Sequence, residues 1–176
     1  MRSIRSRLAV RYAASRTRTP GKSINFNEAI KKSETALFLM PRMSMEFYLA
    51  RSVIQPLARY FRRVVLVVAD NLRELAANQA EVVAISQADE NWLKLPGHQI
   101  IQRLRREKFD LAVDLSFSED VFMSYLCRKS EPGVSAGFSK PDSDHFYDLQ
   151  VRPPESGDMK KAYENLTHTI KMFKEK

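Results

Sequence analysis

Apolar residues in this chain gather into short runs rather than alternating with polar ones. Five such runs recur, at Ala36 to Met40, Val64 to Val68, Val82 to Ser86, Leu111 to Leu115 and Val134 to Phe138. Near-continuous runs of this length predict strands covered on both faces, because a strand with one solvated face would alternate with a period of two. Between the runs, residue spacing predicts helices at about Met45 to Tyr60, Asn71 to Asn78, His98 to Glu107 and Glu119 to Cys127. Strand alternating with helix predicts an α/β fold built on a single Rossmann-like, doubly wound parallel sheet.

The closing helix has the clearest pattern. Met159, Tyr163, Leu166, Ile170 and Phe173 recur at intervals of four and three, which places them on one face. Gly157 and Asp158 precede this helix and Lys174 and Lys176 end it, matching the helix dipole at both ends, so it is predicted to pack back onto the sheet. The stretch VRPPESGD before it reads as an irregular turn, and KPDSDHFYD as a polar loop.

A length of 176 residues with 44% hydrophobic content suits one core and one domain. The net charge of +8 looks like a nucleic-acid signal until it is located along the chain. Arg2, Arg5, Arg7, Arg11, Arg16, Arg18 and Lys22 all precede the first acid, Glu28, and the rest of the chain holds 22 basic residues against 21 acidic ones. The basicity therefore belongs to an arm at residues 1–23, followed by a near-neutral domain at 24–176.

Within the arm, Ile4, Leu8 and Tyr12 fall at i, i+4 and i+8 between arginines, the pattern of a short basic amphipathic helix. A solvated or protein-packed arm, an anionic membrane surface met by Arg2, Arg5, Arg7 and Arg11, and a mitochondrial presequence all fit that pattern. Nucleic acid is disfavoured, since a near-neutral body offers no extended basic face. Cys127 is the only cysteine, which excludes an internal disulfide and zinc sites built from several thiolates. A reducing, cytoplasmic location fits best, peripheral at the inner membrane if the arm docks there. No apolar run approaches the roughly 20 residues that span a bilayer, and residues 1–20 lack the apolar core of a secretory signal.

In open α/β sheets ligands bind beyond the carboxyl ends of the strands, here Pro41 to Glu46, Asp70 and Asn71, Ser86 to Asp89, and Ser116 to Asp120. The segment Ala36 to Phe61 reads as a strand, a turn and a helix, yet it contains no glycine. Glycines stand only at positions 21, 97, 133, 137 and 157, so the glycine turns of dinucleotide folds and Walker loops are absent and no cofactor is expected. Asp70 sits where a ribose-binding acid would lie, but without that turn it reads as a helix cap.

Asp114, Glu119 and Asp120 form an acidic group that could hold magnesium or act as a base. Ser116 followed by Glu119 is equally a capping box. His98, His145 and His168 show no metal-ligand spacing. Arg42 could hold an anion and Glu46 could act as a base, while Ser44 as an N-cap with Glu46 at the positive helix end explains the same residues structurally. Glu46 is thus the catalytic candidate, and Arg42, Ser44, Ser116 and Ser118 are the substrate-binding candidates.

Several strings taken together resemble the acceptor-side, N-terminal domain of the heptosyltransferase family, GT-B glycosyltransferases of lipopolysaccharide core synthesis. ALFLMPRMSMEFYLARSVIQPLARYFRRVVLVV is similar to the family's strand, loop, helix and second strand. IIQRLRREKFDLAVDLS carries the most specific likeness, and GVSAGF and ENLTHTIKMF are similar to a later strand and the closing helix. The resemblance implies a cell-envelope glycosyltransferase domain. It also implies a Gly-Asp pair after the first strand, its Asp the catalytic base, where this chain has Glu46 and Phe47. Glu46 substitutes only if the turn shifts by one residue.

The family's Gln and Lys beyond the fourth strand are replaced by SFSED, whose acids would repel a phosphorylated acceptor. The family's donor-binding half follows the closing helix, where this sequence stops, and half a cleft cannot hold donor and acceptor in attack geometry. The expectation is a domain without the donor half, acting as a non-catalytic binding or assembly module. The alternative is an acceptor-binding component completed by a separate donor-binding domain.

Overall fold

Six strands form one parallel sheet in the order β3-β2-β1-β4-β5-β6. The computed structural model describes residues 4–17, 24–76 and 80–175, with side chains from Arg7 onward in the first segment. Along the chain run α1 (Ile4–Thr17), α2 (Phe26–Lys31), β1 (Thr35–Leu39), α3 (Ser44–Ala58), β2 (Arg63–Ala69) and α4 (Arg73–Ala76). They are followed by β3 (Glu81–Ile85), α5 (His98–Glu107), β4 (Leu111–Asp114), α6 (Val121–Lys129), β5 (Val134–Phe138), β6 (Leu149–Val151) and α7 (Met159–Glu175). The α/β, doubly wound class expected from the apolar runs is the one observed.

Successive strand residues feed two separate cores, which is why the strands do not alternate in polarity. Phe38, Leu66 and Val113 face a layer containing α2, α3, α4 and α7, where Phe47, Leu57, Tyr163 and Leu166 complete the packing. Leu37, Leu39, Val65 and Val67 face the opposite layer of α1, α5 and α6, against Ala13, Leu104, Met123 and Leu126. The closing helix packs on the sheet as its spacing predicts, burying Tyr163, Leu166 and Ile170.

Three local features depart from the sequence expectations. β6 is a sixth strand at the junction between the stretches read as loop and turn; it is only three residues long, carries Gln150 at its centre and pairs on one side alone with β5. The segment expected as a helix from Asn71 begins as a 3-10 turn at Asp70–Leu72, with Ala69 in the cap position; its expected end at Asn78 lies outside the described residues. In α1 the buried face is Ala9, Val10, Ala13 and Thr17 rather than the line through Leu8 and Tyr12. Small side chains let α1 lie against α6, and Leu8 and Tyr12 are left 49% and 41% exposed.

Candidate functional site

The register aligns Leu39 of β1 with both Val67 of β2 and Asp114 of β4, and Asp114 with Gly137 of β5. The carboxyl ends therefore form one rim, and the loops beyond β1 and β4 face each other across it. At the first turn Met43 occupies the N-cap position of α3 and makes no side-chain capping bond. Ser44, expected to be that cap, is instead the first helical residue and is exposed. A capping box does occur on this rim, at Ser86 and Asp89 after β3.

Glu46 turns inward from the first turn of α3 and is 4% exposed. Its Oε2 accepts the backbone N–H of Phe117 at 3.0 Å and its Oε1 that of Ser118 at 3.2 Å. The carboxylate thus ties the first turn of α3 to the loop after β4. Both oxygens are engaged by backbone amides within the fold.

Arg42 is held as tightly. Its Nε and Nη2 donate to Asp120 Oδ2 and Oδ1 at 2.7 and 2.9 Å, and its Nη1 donates to Glu90 Oε1 at 2.9 Å. The guanidinium also lies over the Phe122 ring, 4.7 Å from its centroid. Burial works against this charge, but the bonds to Asp120 and then Glu90 outweigh it and hold the Arg42 pKa above its ordinary value. An incoming anion would have to displace two carboxylates. Asp120 is itself the N-cap of α6, its Oδ1 accepting the N–H of Met123. That assigns the capping role to Asp120 instead of the expected Ser116 and Glu119 pair.

Beneath the rim lies a buried polar cluster centred on Asp114, which is wholly inaccessible. Its Oδ2 accepts Tyr147 OH at 2.5 Å and Ser124 Oγ at 3.0 Å, and its Oδ1 accepts the N–H of Ser116 at 2.8 Å. Lys140 Nζ stands 3.7 Å from Oδ2 and donates to the carbonyls of Ser116 and Ser118. Burial first, and Asp114 second, push the Tyr147 phenol well above its ordinary pKa, so it stays a neutral donor. Gly137 permits this approach, since a Cβ there would meet the Tyr147 ring at 2.6 Å. Ser116 Oγ, offered by the sequence as a ligand contact, is buried without a hydrogen-bond partner.

A small cavity of about 20 Å³ adjoins the cluster, bordered by Ser124, Lys140, Ser143 and Phe146. That is room for about one water. Cys127 is buried and its thiol is pushed well up by burial, leaving no reactive thiolate. Among the described residues no three His, Cys, Asp or Glu side chains gather to hold a metal ion, and no helix is long and apolar enough to cross a membrane.

No family model matches the chain, and no curated protein matches it. Among solved structures it is similar to a glycosyl transferase family 9 protein from Veillonella parvula DSM 2008, with a TM-score of 0.48 and 17% identity. The match covers 78% of this chain and 42% of that one, so this chain spans less than half the length of that protein.

The structure gathers Arg42, Glu46, Ser116 and Ser118 at one rim, but as partners in an internal network. Arg7 and Arg11 are exposed on α1; Arg2 lies outside the described residues, as does the side chain of Arg5. Sequence reasoning did not find Glu90, Ser124, Lys140 or Tyr147. The one available signal was Gly137 inside a strand, which marks a close approach by another group.

Proposed function

We propose that this chain is a glycosyltransferase-type Rossmann-like domain whose crevice serves as a non-catalytic binding or assembly module. The family reading rests on the resemblance carried by RLRREKFDLAVDL and its neighbouring strings. The non-catalytic reading is supported above all by the double commitment of Glu46 to the amides of Phe117 and Ser118. Arg42 adds to it, because the guanidinium that could hold an anion is already paired with Asp120 and Glu90. The rim holds itself together with the groups that a transferase would present to its substrates.

The test is calorimetric titration of the chain with nucleotide-sugars, together with an assay of sugar transfer to a lipid acceptor. No binding at micromolar concentrations and no transfer are expected. Micromolar binding or transfer by the chain alone would overturn the reading. Transfer that appears only when a donor-binding glycosyltransferase domain is added would replace it with the alternative, an acceptor-binding component of a two-part enzyme.

A further inference from the structure

The four most exposed large apolar side chains among the described residues belong to two segments at the carboxyl rim of the sheet. Trp92, in the loop after β3, is 77% exposed; Met45, Met43 and Tyr48, at the start of α3, are 68%, 60% and 56% exposed. Met45 and Tyr48 are three residues apart and so share a helix face. Arg42, next to Met43, ties the two segments together by donating to Glu90 at 2.9 Å.

The loop holds Trp92 in place. Asn91 Oδ1 accepts the N–H groups of Leu93 and Leu95 at 2.9 and 3.1 Å, and both leucines are buried. Lys94 takes a left-handed φ of 63°, a costly conformation for a residue with a side chain, and its ammonium pairs with Glu90 at 2.9 Å. The turn is thus fixed while the indole is left in solvent. An anchor ordered beforehand loses little freedom on binding, and Trp, Tyr and Met are enriched at the centres of protein interfaces.

Charge decides the kind of partner. The segments that leave the carboxyl ends of the strands, 40–43, 70–72, 86–97, 115–120, 139–145 and 152–158, carry nine acidic residues and four basic ones. The segments 32–34, 59–62, 108–110, 130–133 and 146–148, at the opposite edge, carry four of each. Three of the four rim cations are engaged within the fold: Arg42 by Asp120 and Glu90, Lys94 by Glu90, and Lys140 by the carbonyls of Ser116 and Ser118. Such a rim repels phosphates and anionic lipid and attracts cations.

We propose that this rim is a docking site for a basic amphipathic segment of a partner protein. The apolar side chains of that segment cover Trp92, Met43, Met45 and Tyr48, and its lysines and arginines meet the surrounding acids. The proposal gives the binding module a class of partner and rests on that reading of the crevice.

Trp92 is the only tryptophan in the chain, so its fluorescence reports on the site itself. The probe is a tryptophan-free amphipathic helical peptide of leucine and lysine, added to the full chain, with a counterpart in which glutamate replaces lysine. The lysine peptide is expected to bind and to shift Trp92 emission to shorter wavelength, less so as salt shortens the screening length, and the glutamate peptide to do neither. With the lysine peptide labelled and read by anisotropy, Trp92→Ser should weaken binding about 30-fold and Met43→Gln/Met45→Gln about tenfold. Met172→Ser, at an exposed position near the far end of α7, should leave it unchanged. All these residues are exposed, so circular dichroism and melting temperature should stay unchanged in every variant.

Absence of binding overturns the proposal, as does binding that leaves Trp92 emission unchanged or equal binding of the glutamate peptide. A blue shift that grows with the concentration of the chain alone and is lost in Met43→Gln/Met45→Gln overturns it too, since the patch would then be a contact between copies. Sugar transfer by the chain would remove the binding module itself, whereas failure of the peptide would remove only its partner.

Discussion

Replacing Glu46 separates a structural carboxylate from a catalytic one. In Glu46→Ala the N–H groups of Phe117 and Ser118 lose their acceptor, and α3 loses its tie to the loop after β4. Hydrogen bonds to a charged group contribute about 1.5–3 kcal/mol each. Phe117 is half-buried and Ser118 exposed, so water can replace part of what is lost. The helix-terminus interaction adds roughly 0.3–1 kcal/mol, and a net loss of about 2–3 kcal/mol follows. Glu46→Gln keeps one carbonyl acceptor and should lose about half of that.

Urea unfolding followed by circular dichroism reads this directly, as a lower midpoint at unchanged slope. For a chain of this size each kcal/mol shifts the melting temperature by about 2–4 °C, so Glu46→Ala should melt roughly 4–12 °C below the parent. A catalytic glutamate held ready for substrate would behave otherwise, with its loss leaving stability unchanged or improved. Should both variants unfold within about 0.5 kcal/mol of the parent, the range of ordinary surface substitutions, the clamp argument is wrong.

Two further outcomes follow from the same geometry. Gly137→Ala places a Cβ 2.6 Å from the Tyr147 ring and must push the phenol off Asp114, so a loss of about 2–4 kcal/mol is expected; an unchanged midpoint would mean that the ring is not seated there. Asp110 accepts from the N–H groups of Glu34 and Thr35 and from Thr35 Oγ1; burial opposes its charge, yet these bonds hold its pKa below the usual value. The stability from a depressed carboxylate is present above the unfolded value of about 3.9 and is lost as pH falls through the folded one. Asp110→Asn should therefore be less stable than the parent at neutral pH, with the gap closing below about pH 4; a gap independent of pH would refute the assignment.

The fold was legible in the chain to the extent that each element announced itself locally. Five of six strands and the helix after β1 lie within two residues of their expected bounds. β6 escaped because three residues at a sheet edge, with Gln150 in the middle, carry no periodic signal. The rim loops were legible too, since strand ends follow from strands. The roles of their residues were not: Ser44 and Ser116 have good capping chemistry, yet Met43 and Asp120 hold the cap positions.

By itself the sequence determined a parallel sheet covered on both faces and a turn after β1 that contains no glycine. These are local properties of backbone and pattern. Tertiary structure decided what the rim carboxylates and the cations do. Glu46 meets its amides 71 residues away and Arg42 meets Asp120 78 residues away, so no window of sequence contains either pair. Strand order likewise assigns each helix to a face, and only that assignment brings α1 and α6, distant in sequence, into one core.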